Sequence, residues 1–266
     1  MKKAILYIVL AIVLTGCEVI REGDRLIELP MSITGERAHV LIDYTGFRCV
    51  NCPKASAEAQ ELSQLYGERL IVVAMHPASN PFTQGLYDYT CPEADVYYKY
   101  MGGNASTAFP TGNIDMRSEE GIYFTDYLAW PGRLASAMKD SAKVFLSAEV
   151  SLNENTQEMR ITTTAYASAT AHCRLITWLV EDSVMGVQAM PDGTINTEYA
   201  HRHVLRGAAG EAWGDSIVLT TQPARFTQTM RLPESCVRTH CEIVAVLTDE
   251  QHQVLNATKS NISIQQ

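Results

Sequence analysis

Cys49-Val50-Asn51-Cys52-Pro53 puts two thiols three positions apart, directly after the strand-like run His39-Val40-Leu41-Ile42-Asp43-Tyr44 and before a run of good helix formers starting at Pro53. A pair at that spacing closes a small disulfide and reopens it. At a helix start, unpaired backbone N–H groups and the helix dipole stabilise a thiolate, which makes Cys49 the nucleophile and Cys52 the resolving thiol. Proline suits the first helical turn because its missing N–H has no partner there. The spacing points to thiol–disulfide chemistry, which needs no cofactor. The alternatives are a structural disulfide that never cycles and a zinc site completed by His76 or Cys91.

Such a turn works only on a scaffold. Strand and helix patterns alternate over 39–44, 53–66, 70–75, 93–101, 109–115, 121–128 and 130–138, which predicts an α/β layer structure. Near residues 139–143 the texture changes. Short strands with turns between them follow at 142–152, 158–166, 174–180, 203–206, 216–220, 225–232, 241–247 and 253–262, a pattern that predicts an all-β immunoglobulin-like sandwich. The expected domains are therefore 38–140 and 141–266. Residues 17–37 form a tether, to which 26–29 could add an edge strand.

The N-terminus bears on the compartment. Met1-Lys2-Lys3 is basic, residues 4–14 are an apolar run too short to span a bilayer comfortably, and Leu14-Thr15-Gly16-Cys17 resembles the bacterial lipobox. That resemblance implies a signal peptide over 1–16 and lipid on Cys17, a membrane partner reached through acyl chains at ~0.8 kcal/mol per buried CH₂. With 46% hydrophobic and 19% charged residues, the rest can build ordinary cores. A formal charge of −9 argues against nucleic acid as a partner. Six cysteines remain after Cys17. Beyond 49–52, only Cys236 with Cys241 is locally plausible as a disulfide, and Cys91 and Cys173 have no assigned partner.

Residues 38–140 resemble a thioredoxin-fold domain. In that family a buried acid six positions before the first cysteine accepts the resolving thiol's proton, and a cis-proline faces the disulfide; Asp43 and Pro110 occupy those places. Phe47-Arg48 stands where a tryptophan usually precedes the first cysteine. A longer match runs through 45–53, Phe109-Pro110-Thr111-Gly112, Trp178-Leu179-Val180-Glu181-Asp182, 199–206 and Gln253-Val254-Leu255-Asn256-Ala257. It is similar to the Omp28-related outer-membrane lipoproteins of Bacteroidetes, which carry a thioredoxin-like and then an immunoglobulin-like domain and have been described as adhesins or receptors. The resemblance implies an outer-membrane lipoprotein, facing the periplasm or the surface. Its partners would be exported protein thiols and disulfides or an extracellular ligand. Asp140-Ser141-Ala142, Asp182-Ser183-Val184 and Asp215-Ser216-Ile217 resemble the triplet at which Bacteroidetes O-glycosylate exported proteins, which makes Ser141, Ser183 and Ser216 expected glycan sites. His201-x-His203, with Glu181 and Asp182 nearby in sequence, reads as a structural network rather than a metal site.

Overall fold

Every residue of β1 (His39–Tyr44) and β2 (Leu70–Met75) is buried, as expected of strands covered on both faces. The computed structural model describes residues 35–85 and 87–264, so the lipobox, Cys17 and the 26–29 strand lie outside the described residues. β1 and β2 run parallel in unbroken register from His39↔Leu70 to Tyr44↔Met75, joined by α1 (Cys52–Tyr66). A parallel pair needs such a crossover. Then come α2 (Pro92–Tyr100), β3 (Thr111–Ile114), antiparallel to β1, and α3 (Trp130–Ala137).

From there the chain is all strand: β4 (Val144–Asn153), β5 (Glu158–Ala167), β6 (Ala171–Glu181), β7 (Val184–Ala189), β8 (Ile195–His201), β9 (Val204–Ala208), β10 (Asp215–Leu219), β11 (Ala224–Arg231), β12 (Cys241–Thr248), β13 (Val254–Asn261) and β14 (Ser263–Ile264). Mixed sheets dominate. The largest runs β13-β12-β6-β9-β2-β1-β3, with β10 also on β6; a second runs β11-β5-β4-β14; β7 and β8 form a separate hairpin. The large sheet crosses the boundary expected at 140/141, through the β2–β9 pairing Ala74↔Val204.

The period of two along each strand decides what covers the large sheet. On one face Val40, Ile42, Val73 and Met75 share a single core with Ile176, Trp178, Val244 and Val246, closed by Tyr97 and Tyr98 of α2. On the other face, Leu41, Leu70 and Val72 pack on Ala55, Ala59 and Leu62 of α1 and on Trp130 and Leu134 of α3. Further along that sheet, Leu179 and Ile243 meet Val150 and Ile161, and Leu175 and Ala245 meet Val144 and Ala165, so the four-stranded sheet replaces the helices.

The expected 121–128 strand is corrected. Only the isolated bridges Gly112↔Thr125 and Glu119↔Ile122 occur there. Glu120 and Gly121 both take positive φ (52° and 83°), which turns the chain back before a ladder can extend.

Candidate functional site

The loop carrying the two cysteines is held from several sides. The Arg48 N–H donates to the Phe82 carbonyl (3.1 Å), the Cys49 N–H to Gly46 (3.0 Å) and the Cys52 N–H to Cys49 (3.3 Å). Cys52 opens α1 with Pro53 behind it, and the Asn51 side chain makes no capping bond to the helix. Cys49 and Cys52 are joined as a disulfide, with their Cα atoms 5.4 Å apart. The Phe109–Pro110 bond is cis, and Pro110 leads into β3, whose Thr111 pairs with Tyr44. Asp43, Pro110 and the disulfide are thus gathered at one end of β1.

The disulfide is covered. Cys49 is 2% and Cys52 1% exposed, although Val50 between them is 46% exposed. Both cysteines join the main core beside Phe109, and the β7–β8 hairpin lies against their loop. Gln188 Nε2 donates to the Cys49 carbonyl (2.9 Å) and to the Ala189 carbonyl (2.9 Å), and the Ala189 N–H donates to the Phe47 carbonyl (2.8 Å). Tyr89 receives the hairpin: its ring lies 4.4 Å from that of His201 and 6.1 Å from Phe47. Gly186 has to be glycine for this seat, since a Cβ there would collide with the Tyr89 hydroxyl.

Beneath the hairpin lies a crevice with room for roughly one water molecule, lined by Asp43, Cys52, His76, Gln188, Tyr199 and His201 among others. Asp43 is 3% exposed, its Oδ1 has no hydrogen-bond partner, and burial pushes its carboxyl up to about 7. Both histidines are held neutral. Burial takes His76 well below its ordinary value, reinforced by His201 and Arg206, and lowers His201 to about 4 against a hydrogen bond to the Val187 carbonyl. Their rings lie 5.9 Å apart.

Other expected residues go elsewhere. His203 turns away from His201 toward Asp182 (Nδ1–Oδ1 4.0 Å). Cys91 and Cys173 are buried free thiols, pushed up by burial to about 12 and about 11. Cys236 and Cys241, expected as a disulfide, stand here as free thiols with their sulfurs within 4.8 Å of each other. Ser141 and Ser216 are exposed, the latter bonded to Arg174 (3.0 Å), while Ser183 is half-buried against Asp182 (2.9 Å). The sequence reading overlooked Gln188 and Tyr199. Pro191-Asp192-Gly193 is the turn signal that would have exposed their hairpin.

The family described as Outer membrane protein Omp28 matches residues 94–266. The chain belongs to the Omp28 family. It is accordingly an outer-membrane protein, and among the described residues no helix is long and apolar enough to cross a membrane. HBP35 of Porphyromonas gingivalis has a similar fold, with a TM-score of 0.69 at 15% identity over 85% of this chain and 76% of that one. A protein of Agrobacterium tumefaciens, at 13% identity, gives a TM-score of 0.51 over 84% of this chain and 94% of that one. No curated protein sequence matches the chain. The Omp28 match takes in the covering hairpin and the Cys236–Cys241 pair, while Cys49 and Cys52 lie ahead of it.

Proposed function

We propose that this Omp28 protein is a lipoprotein, anchored through Cys17, that exchanges thiols and disulfides with exported proteins at Cys49–Cys52. In this reading a thioredoxin-like half carries the chemistry and an immunoglobulin-like half supplies the hairpin that governs access. The observation that carries it is Asp43. An uncompensated buried carboxyl is costly, and a purely structural disulfide has no use for one beside Cys52. An exchange site does. With the pair reduced, the Cys49 thiolate attacks one sulfur of a partner disulfide, whose S–S bond breaks as the other sulfur leaves as a thiolate, and a mixed disulfide forms. Cys52 then gives its proton to Asp43 and attacks Cys49, releasing the partner as a thiol. Pro110 would present backbone to the bound peptide.

The hairpin must lift for any of this, because Cys49 is buried and its sulfur cannot be approached along the S–S axis. The same burial favours a second reading, a non-catalytic surface-binding protein in which the disulfide only braces the loop. One experiment separates the two. In the native host, Cys52→Ala should accumulate mixed disulfides through Cys49 in the outer-membrane fraction, and the Cys49–Cys52 potential should fall near the range of about −120 to −270 mV found for redox enzymes. No trapped adduct, with a potential below about −300 mV, establishes the structural bond instead.

A further inference from the structure

Glu181 closes β6, and Cys241 opens β12 directly opposite it in the antiparallel register. The loop before β12 folds back over this pair. Its Val237 N–H donates to Glu181 Oε1 (2.7 Å), which brings the Cys236 sulfur, the Cys241 sulfur and a Glu181 oxygen within 4.8 Å of one another. Glu181 is 2% exposed. Arg206 of β9 completes the group, with Nε 3.3 Å from Glu181 Oε2, a bond to the Ser235 hydroxyl (3.0 Å), and a charge that lowers the Cys236 thiol. A metal cation would meet the guanidinium charge already paired with its carboxylate ligand, which disfavours metal here.

We propose that Cys236 and Cys241 are a second thiol–disulfide exchange site, independent of Cys49–Cys52, in which Arg206 holds the Cys236 thiolate and Glu181 takes the proton of Cys241. The arrangement divides the labour between the sulfurs. Cys236, partly exposed, is drawn down to about 7 by the hydrogen bond from Cys241 and by Arg206, against burial and the Glu181 charge. Cys241, buried, is pushed up by its bond to Cys236, by burial and by the Cys236 and Glu181 charges. The co-reactant is an external disulfide. Cys236 attacks one of its sulfurs, the S–S bond breaks, and one thiolate leaves to be protonated by water. Cys241 passes its proton to Glu181 and attacks the Cys236 sulfur, expelling the second thiolate. Two electrons move from the pair to the disulfide, leaving a Cys236–Cys241 bond and two thiols.

The test uses the full mature chain in glutathione buffers of graded oxidised-to-reduced ratio, quenched by alkylation and read by peptide mass. The Cys236–Cys241 bond should form and disappear reversibly as the ratio changes. In Cys241→Ser a glutathione adduct should accumulate on Cys236, whereas in Cys236→Ser adduct formation on Cys241 should be at least ~10-fold slower. Arg206→Gln should raise the pH midpoint of Cys236 alkylation from near 7 toward the ordinary thiol value, cutting the rate at pH 7 by roughly 10-fold, with Arg206→Lys restoring it. A pair that stays reduced at every ratio, adducts that form equally on both sulfurs, or a midpoint unmoved by Arg206→Gln overturns the proposal.

Discussion

Asp43 and Asp115 are both buried acids, and they differ in what surrounds them. Asp115 binds Arg37 Nη2 (2.7 Å), His39 Nδ1 (2.7 Å) and the Val40 N–H (3.0 Å), so both its oxygens have partners. Asp43 has no such company, and its carboxyl stays protonated up to about pH 7 in the folded state. Below about pH 4 the folded and unfolded chains both hold that proton. Between there and pH 7 only the folded chain holds it, so stability falls as pH rises, by about 1.4 kcal/mol per pH unit, and the loss is complete above the folded value. Asp43→Asn should flatten this slope, so that denaturant titrations at pH 5 and pH 8 differ by about 3 kcal/mol less than in the wild type; an unchanged difference would show that Asp43 is ionised. The two acids also differ in legibility. Asp43 was readable from its place six positions before Cys49, whereas Asp115 draws on partners 75 to 78 residues away, at separations sequence spacing does not encode.

Elements with a core face announced themselves. The expected spans 39–44 and 70–75 coincide with β1 and β2, whose short unbroken apolar runs suit strands covered on both faces, and 53–66 with all but the first residue of α1, whose buried Ala55, Ala59 and Leu62 recur at the helical period. The β7–β8 hairpin carries no such stripe. Most of β8 is polar and exposed, and Gly186 interrupts β7, so its fit to the rest of the protein comes from Gln188, His201 and a glycine placed against Tyr89. An element attached by a few polar contacts is one that can open. Gln188→Ala removes the one hydrogen bond this side chain makes to the Cys49 loop, so closure weakens by about 0.5 to 1.5 kcal/mol. The reduction of Cys49–Cys52 by a small dithiol should speed up by roughly 2- to 10-fold. Equal rates in variant and wild type would mean that the hairpin does not limit access.

At the scale of the whole molecule, the large sheet and the core beneath it cross the mid-chain change of texture. Trp178 of β6 donates to the Tyr97 hydroxyl of α2 (2.9 Å), and both belong to the core that holds Val40 and Met75. Alternating strands and helices followed by strands alone implied two bodies, because sequence pattern reports the type of each element and not which sheet it joins. The described residues from 35 onward fall in one compact unit. They should unfold in a single transition, with tryptophan fluorescence and far-UV circular dichroism superimposing in urea; two separated transitions would show that the halves melt independently. The Arg37 guanidinium, lastly, ties Asp115, Asp140 and the Val254 carbonyl together just ahead of β1. If the protein hangs from lipid at Cys17, mechanical tension from a moving membrane enters at this clasp. The load is divided at once between β13 and the segments around Asp115 and Asp140, and bonds strained side by side resist better than bonds unzipped in turn. The force is spread before it reaches the loop of Cys49 and Cys52, which leaves that disulfide off the line of pull.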